Sequence, residues 1–178
     1  LMLAKLGLRN GLPDDEEFIG NTFAFLQQHR PDFTLFFRTL SKLPAVKIES
    51  TAGPATIETT AGPRVNPENQ AKTDAPLRDQ FIDPAACDAW LASWRARQAQ
   101  TPWSVAERQS AMLAANPKYV LRNWLAEKAI RKAKDKDFSE VQRLLTCLRR
   151  PYDEQPEFEE YAALPPDWAR GLEVSCSS

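Results

Sequence analysis

Residues 116–178 decide the fold of this chain, and they read NPKYVLRNWLAEKAIRKAKDKDFSEVQRLLTCLRRPYDEQPEFEEYAALPPDWARGLEVSCSS. In the first half of this stretch, apolar residues recur at intervals of three and four positions, which is typical of amphipathic helices. The second half is acidic and rich in proline, which does not fit the interior of a helix. The pattern therefore predicts two helices followed by an extended arm.

Both predicted helices have assigned ends and inward faces. The first covers residues 118–134, and its inward side chains are Leu121, Trp124, Leu125 and Ala129. The second begins at Ser139, which forms a capping-box pattern with Gln142, and it ends before Pro151. Its inward side chains follow the i, i+3, i+4, i+7 spacing and are Val141, Leu144, Leu145 and Leu148.

The arm, residues 151–178, ends in a cysteine among serines. Its expected anchors on the helices are aromatic, namely Tyr152, Phe158, Tyr161 and Trp168. Cys176 lies beyond the last of them. Chain ends are usually solvated, whereas unbonded cysteines are usually buried. We therefore interpret Cys176 as a candidate redox thiol.

The rest of the chain is predicted to be helical as well, which gives an all-α, irregular helical bundle with one flexible insertion and an extended C-terminal arm. Asp83 and Ser104 are predicted N-caps, and residues 1–6 are predicted to be the end of a helix that Gly7 closes. The predicted organisation has four parts: a helical segment truncated at its start (1–43), a Pro/Gly/Thr-rich insertion or linker (44–76), a helical bundle (77–150) and the acidic arm (151–178).

Charge is distributed unevenly along the chain, although its net charge is only −1. Residues 76–150 carry 14 basic and 8 acidic groups, a net charge of +6. Residues 151–178 carry 1 basic and 7 acidic groups, a net charge of −6. Opposite charges of equal size favour docking of the arm on the bundle. The predicted docking face consists of Arg122, Lys128, Arg131 and Lys132.

Cysteine usage and hydropathy restrict the cellular setting. The three cysteines, Cys87, Cys147 and Cys176, do not form a disulfide framework, and no window of the sequence is apolar enough to span a membrane. We therefore expect an intracellular, reducing environment, that is, the cytoplasm.

Several strings of this sequence resemble the C-terminus of the selenoprotein O family. They are NPKYVLRNWLAEKAI (116–130), FSEVQRLL (138–145), LRRPYDEQPEFEEYAALPPDW (148–168) and the closing Ser-Cys-Ser-Ser, with a weaker match at PDFTLFFRTLSKL (31–43). Some members of that family carry selenocysteine at the position of Cys176. No family pattern is visible between residues 44 and 76.

The resemblance implies a fragment of a larger enzyme. The family consists of pseudokinases with a protein-kinase-like fold, which transfer AMP from ATP to serine, threonine or tyrosine of proteins with magnesium. Its kinase-like region precedes the part that these strings resemble. The implied partners are thus the missing N-terminal kinase-like region of the same chain and the protein substrates of the parent. The implied role of this segment is to brace that region and to present Cys176.

No catalytic, cofactor-binding or metal-binding residue is predicted within these 178 residues. His29-Arg30-Pro31-Asp32, Asp137-Phe138-Ser139 and Val46-Lys47-Ile48-Glu49 mimic kinase motifs, but in the wrong context and order. The lone histidine, His29, is interpreted as a cation at a helix C-terminus. The alternative function is a freestanding helical binding module. It would use the aromatic arm for a protein partner or, less expected, a basic stripe for nucleic acid. The stripe consists of Lys118, Arg122, Lys128, Arg131, Lys132, Lys134 and Lys136.

Overall fold

The computed structural model describes residues 1–9, 11–44, 67–101, 103–169 and 172. Within these ranges the chain forms α-helices and short 3-10 turns without a strand, which confirms the predicted all-α class. Of the predicted insertion, residues 45–66 lie outside the described residues, as does Cys176.

The described part contains nine α-helices in chain order. They are α1 (Met2–Lys5), α2 (Asp15–His29), α3 (Phe33–Lys42), α4 (Pro67–Arg78), α5 (Pro84–Gln100), α6 (Val105–Ala115), α7 (Asn123–Lys134), α8 (Ser139–Leu148) and α9 (Glu159–Ala162). Two 3-10 turns, Pro156–Phe158 and Asp167–Ala169, lie in the arm, so the arm is less extended than predicted.

Local capping chemistry sets several helix ends as predicted. The Asp83 carboxylate accepts hydrogen bonds from the first backbone amides of α5, and Ser104 Oγ accepts one from the Glu107 amide at the start of α6. Gly7 follows α1 with φ 63°. The Leu8 amide donates to Leu3 O, and the Gly7 amide donates to Ala4 O, which is the Schellman arrangement.

A large aromatic cluster fills the first core, which α1 to α6 build. Phe25 stacks on Trp90 with ring centroids 5.6 Å apart, and Phe36 meets the same indole edge-on at 5.2 Å. The indole N–H of Trp94 donates to Leu6 O over 2.8 Å. Aromatic burial of this kind supplies most of the apolar area of a small core, and here it fixes α5 against α2 and α3.

A second, smaller core forms around α7, α8 and the arm. Its buried residues include Tyr119, Trp124, Leu125, Leu144, Phe158 and Tyr161. Phe158 and Tyr161 stack with ring centroids 5.7 Å apart. These two aromatics therefore anchor the arm as predicted, whereas Tyr152 and Trp168 are about half exposed.

Four sequence-based expectations about the helices are wrong. The predicted linker extends to residue 76, but α4 begins at Pro67 and includes Pro76. The helix predicted at 118–134 begins only at Asn123, because the amides of Lys118 and Tyr119 donate to Pro151 O. Leu121 is consequently exposed.

The other two errors concern α8. Ser139 is its first residue rather than its cap, and the Asp137 carboxylate accepts the Ser139 amide over 2.9 Å. Val141 and Leu145 are exposed. The helix instead turns Glu140, Leu144 and Cys147 inward, because the Glu140 carboxylate finds polar partners inside the second core.

Candidate functional site

Two of the four cations predicted to dock the arm pair elsewhere. The Arg122 guanidinium donates two hydrogen bonds to the carboxylate of Asp32, which caps α3. Lys132 Nζ lies 3.5 Å from Glu140 Oε2 and 3.9 Å from Asp137 Oδ2, both next to or within α8. These side chains join helices to each other rather than to the arm.

The other two cations contact the arm. Lys128 Nζ lies 2.9 Å from Glu140 Oε1 and 3.9 Å from Glu160 Oε1 of the arm. The Arg131 guanidinium, which also pairs with Glu127, lies over the Trp168 ring at 4.9 Å from its centroid. The predicted face is therefore divided between internal pairs and contacts with the arm.

Glu154 of the arm forms ion pairs with three cations. Its Oε1 lies 2.9 Å from Arg38 Nη2 and 3.0 Å from Lys42 Nζ, and its Oε2 lies 2.6 Å from Lys118 Nζ. Lys118 also donates to the Glu159 carboxylate. We call these five side chains, Arg38, Lys42, Lys118, Glu154 and Glu159, the arm-docking cluster.

Mutual stabilisation shifts the pKa values within this cluster. The hydrogen bond from Lys118, with further ones from Arg38 and Lys42, holds the pKa of Glu154 at about 2. Burial acts to lower the pKa of Lys118, but its hydrogen bonds to Glu154 and Glu159 outweigh burial and raise it above the ordinary value. Both groups are therefore charged throughout the neutral range.

Arg38 connects the arm-docking cluster to the first core. Its Nη1 donates to Leu113 O and Asn116 O, and its Nη2 donates to Tyr152 O at 3.1 Å. One buried guanidinium thus joins α3, the end of α6 and the start of the arm. Arg38, Lys42 and Glu154 were not predicted as functional partners from the sequence. The sequence did contain a signal for Arg38, because this charged residue lies between Phe37 and Leu40, which are both buried in α3.

Buried hydrogen bonds next to the arm-docking cluster hold the arm to the second core. Tyr119 Oη donates to Gln155 O over 2.8 Å and accepts the Gln155 amide. The Gln155 side-chain amide donates to Cys147 O and Arg150 O at the end of α8. Since Tyr119 and Gln155 are both buried, this exchange fixes the direction in which the arm leaves α8.

A buried carboxylate anchors the arm further along. Glu140 accepts a hydrogen bond from Tyr161 Oη over 2.7 Å, and Arg143 Nε donates to the same hydroxyl oxygen over 3.1 Å. Burial acts to raise the pKa of Glu140, but the hydrogen bonds from Tyr161 and Lys128 outweigh it, so the pKa is lowered. This network explains why α8 turns Glu140 inward.

A cleft of about 600 Å³ opens between α3, α4 and the arm. Four cations lie in its wall, namely Arg38, Lys42, Lys118 and Arg122. The volume is in the range of typical ligand pockets. The four cations therefore lie in an accessible concave surface.

The cysteines and the histidine occupy different environments. Cys87 and Cys147 are fully buried. Burial, with the nearby Asp88 carboxylate, raises the pKa of Cys87 to about 12, and burial also raises that of Cys147. His29 is the last residue of α2, and its ring lies 5.0 Å from that of Phe25. Thiolate chemistry is therefore disfavoured at both buried cysteines.

Two kinds of feature are absent from the part of the chain that the structure describes, namely clusters of metal-ligating side chains and membrane-spanning helices. No group of three or more His, Cys, Asp or Glu side chains there is arranged to hold a metal ion. None of the described helices is long and apolar enough to cross a bilayer.

This helical chain has relatives among known proteins, and they define its class and its family. It aligns with bacterial proteins named "Protein nucleotidyltransferase YdiU": that of Dechloromonas aromatica is 70% identical over the whole chain, and that of Cupriavidus metallidurans is 49% identical over 98% of it. The family profile "Protein adenylyltransferase SelO" matches residues 1–149. The chain belongs to this family of nucleotidyltransferases.

The match covers only part of each relative. The chain spans 32% of the length of the Dechloromonas protein and 28% of that from Cupriavidus metallidurans. A third relative, from Burkholderia vietnamiensis, is 50% identical, and the chain spans 30% of it. The chain thus corresponds to about one third of a full-length family member.

Proposed function

We propose that this chain is the C-terminal helical region of a SelO-family protein adenylyltransferase, which transfers AMP from ATP to serine, threonine or tyrosine of proteins. The observation that carries the proposal is the family match over residues 1–149, in a chain that spans about one third of its relatives. The position at the C-terminus rests on the resemblance of residues 116–178. ATP and magnesium belong to the missing kinase-like region.

Within the parent enzyme, this region braces the kinase-like region and presents Cys176. The ion pairs that Glu154 makes with Arg38 and Lys118 connect the two cores, and this connection supports a bracing role. The arm, anchored as far as Ala169, leads from this brace towards Cys176.

The alternative of a freestanding nucleic-acid-binding module gains no support from the basic residues. Lys118, Arg122, Lys128 and Lys132 all pair with carboxylates of this chain. Phosphate contacts would have to replace these pairs, which reduces the gain from counterion release. We therefore retain the adenylyltransferase proposal.

The 178-residue chain alone is expected to show no ATP binding in isothermal titration calorimetry with magnesium. The physical reason is the lack of a phosphate-cradling glycine-rich loop in its sequence. A chimera in which these residues replace the matching third of the Dechloromonas relative is expected to bind ATP and to transfer labelled AMP to protein. Micromolar ATP affinity of the chain alone would contradict the site assignment. A folded chimera without AMP transfer would contradict the proposed function.

Cys176 is expected to be the most reactive of the three thiols towards maleimide in the native chain. Cys87 and Cys147 are shielded by burial and have raised pKa values, and the thiolate is the reactive form. Cys176→Ser should remove the fast labelling phase and change the free energy of unfolding by no more than about 0.5 kcal/mol. Mass spectrometry of labelled peptides identifies the site, and equally rapid labelling of Cys87 would count against a redox arm.

A further inference from the structure

The cleft between α3, α4 and the arm has an excess of positive charge. Its wall contains the four cations Arg38, Lys42, Lys118 and Arg122. Their carboxylate partners among the described residues are three: Asp32, Glu154 and Glu159. One further carboxylate could therefore enter the cleft and be paired rather than repelled.

Lys42 is the cation best placed to receive that carboxylate. Glu154 is shared by three cations, so it keeps Arg38 and Lys118 when Lys42 turns away. The Lys42 side chain is 53% exposed, whereas that of Arg38 is 7% exposed and is held by backbone carbonyls. Redirecting Lys42 consequently leaves no buried charge without a partner.

Two side chains of the cleft wall also carry buried donors without partners. The Nε atoms of Arg38 and Arg122 are buried and have no hydrogen-bond partner among the described residues. Such donors are uncommon in native proteins, and the described chain has others away from the cleft, such as those of Trp103 and Arg108. Both side chains line the cleft.

The rest of the wall is largely apolar. Between the cations, carbon-rich side chains from three parts of the fold line the cleft: Leu35, Leu43, Pro44, Pro76, Ala162 and Ala163. A wall with an apolar body and a few cations fits a peptide segment that carries apolar side chains next to a carboxylate.

We propose that this cleft receives an acidic segment with flanking apolar residues from the part of the parent chain that lies outside these 178 residues. The inference rests on the proposed function, and it assigns the surface through which the region braces the parent. Charge complementarity favours an acidic occupant, and about two thirds of the length of each relative lies outside the matched part. Docking places the incoming carboxylate on Lys42.

Acylation of lysines by sulfo-N-hydroxysuccinimidyl acetate tests the proposal. The rate at Lys42 is compared between the 178-residue chain and the chimera with the Dechloromonas relative, with exposed Lys134 as the internal control. If the undocked state is populated at about 10% or less, Lys42 reacts about tenfold more slowly in the chimera, while Lys134 is unchanged. Equal Lys42 rates in both proteins would overturn the proposal.

Filling the cleft provides the matched variant. Ala163→Trp, at an exposed position of the cleft wall, should restore the reactivity of Lys42 in the chimera to the rate of the same variant of the 178-residue chain. Ala106→Trp, at an exposed position of α6 outside the cleft wall, should leave the protection intact. Protection that survives Ala163→Trp would overturn the assignment of the cleft.

Other occupants give different outcomes. Protection already present in the 178-residue chain and lost on deletion of residues 45–66 would identify this chain's own segment, and protection that depends on protein concentration would identify a second copy. Either result overturns the proposal. A chimera that transfers AMP while Lys42 stays reactive refutes the docking site alone, whereas a folded chimera without AMP transfer refutes the proposed function.

Discussion

Arg97→Met is expected to lower the free energy of unfolding by about 3–5 kcal/mol, because it leaves a buried carboxylate without its partner. Arg97 Nε lies 2.5 Å from Asp15 Oδ1, and its Nη2 lies 3.0 Å from Asp15 Oδ2. Both side chains are more than nine-tenths buried. Urea denaturation at neutral pH followed by circular dichroism measures the loss.

Two further variants separate the buried charge from lost packing. Asp15→Asn combined with Arg97→Met should be more stable than Arg97→Met alone, since the double variant buries no carboxylate. Arg150→Met removes an exposed pair with Asp153 and should change stability by less than about 1 kcal/mol. A loss at Arg97 no greater than that at Arg150 would contradict the role of the buried pair.

The pH dependence follows from the same pair. Hydrogen bonding from Arg97 lowers the pKa of Asp15 in the folded chain, so its stabilising contribution is present above the unfolded pKa of about 3.9 and is lost as the pH falls below it. In Arg97→Met, burial without a partner raises this pKa, and protonation relieves the unpaired charge. The difference in stability between native chain and variant should therefore narrow as the pH falls from 7 to about 4.

Gly7→Ala is expected to lower the free energy of unfolding by about 2–4 kcal/mol, from a left-handed backbone conformation and an overfilled core together. Gly7 has φ 63°, and an added Cβ would overlap Met112 Sδ and would lie 2.9 Å from Arg108 Cγ. Met112 and Arg108 are both buried, so neither can move away freely. Thermal and urea denaturation measure the loss.

Gly20→Ala is the matched control for this substitution. Gly20 lies within α2, and an added Cβ there would meet no atom within 4 Å. Since alanine stabilises a helix interior more than glycine does, the free energy of unfolding of this variant should rise by about 0.5–1 kcal/mol. If Gly7→Ala and Gly20→Ala were equally stable, the left-handed conformation and the close contacts of Gly7 would not destabilise an alanine there.

Features that depend on a few neighbouring residues were predictable from the sequence. The Asp83 and Ser104 caps and the closure of α1 at Gly7 involve groups no more than five residues apart, so local patterns contain their full chemistry. The all-α class follows from the same local signals. Aromatic anchoring at Phe158 and Tyr161 was also recognisable, because large aromatic side chains in an otherwise polar arm have few alternatives to burial.

Features that depend on distant partners were not predictable. The pairing of Arg38 with Glu154 spans 116 positions, and charge alone could not distinguish it from docking on Arg122 or Lys132. The buried face of α8 was predicted wrongly because the spacing of its apolar residues favoured Val141 and Leu145. The hydrogen bond that stabilises the buried Glu140 carboxylate comes from Tyr161, which follows 21 residues later. In both examples a buried charged side chain is stabilised by a partner that is distant in the sequence, and local patterns do not contain that partner.

The ion pairs between the two cores affect how cooperatively the chain unfolds. Each core is held by apolar packing, whereas Arg38, Lys42 and Arg122 connect them through charged pairs. Added salt screens half-exposed pairs such as that of Lys42 but scarcely weakens apolar burial. We therefore expect added salt to weaken the connection between the two halves at the Lys42 pair, while the less exposed Arg38 and Arg122 pairs continue to couple their unfolding.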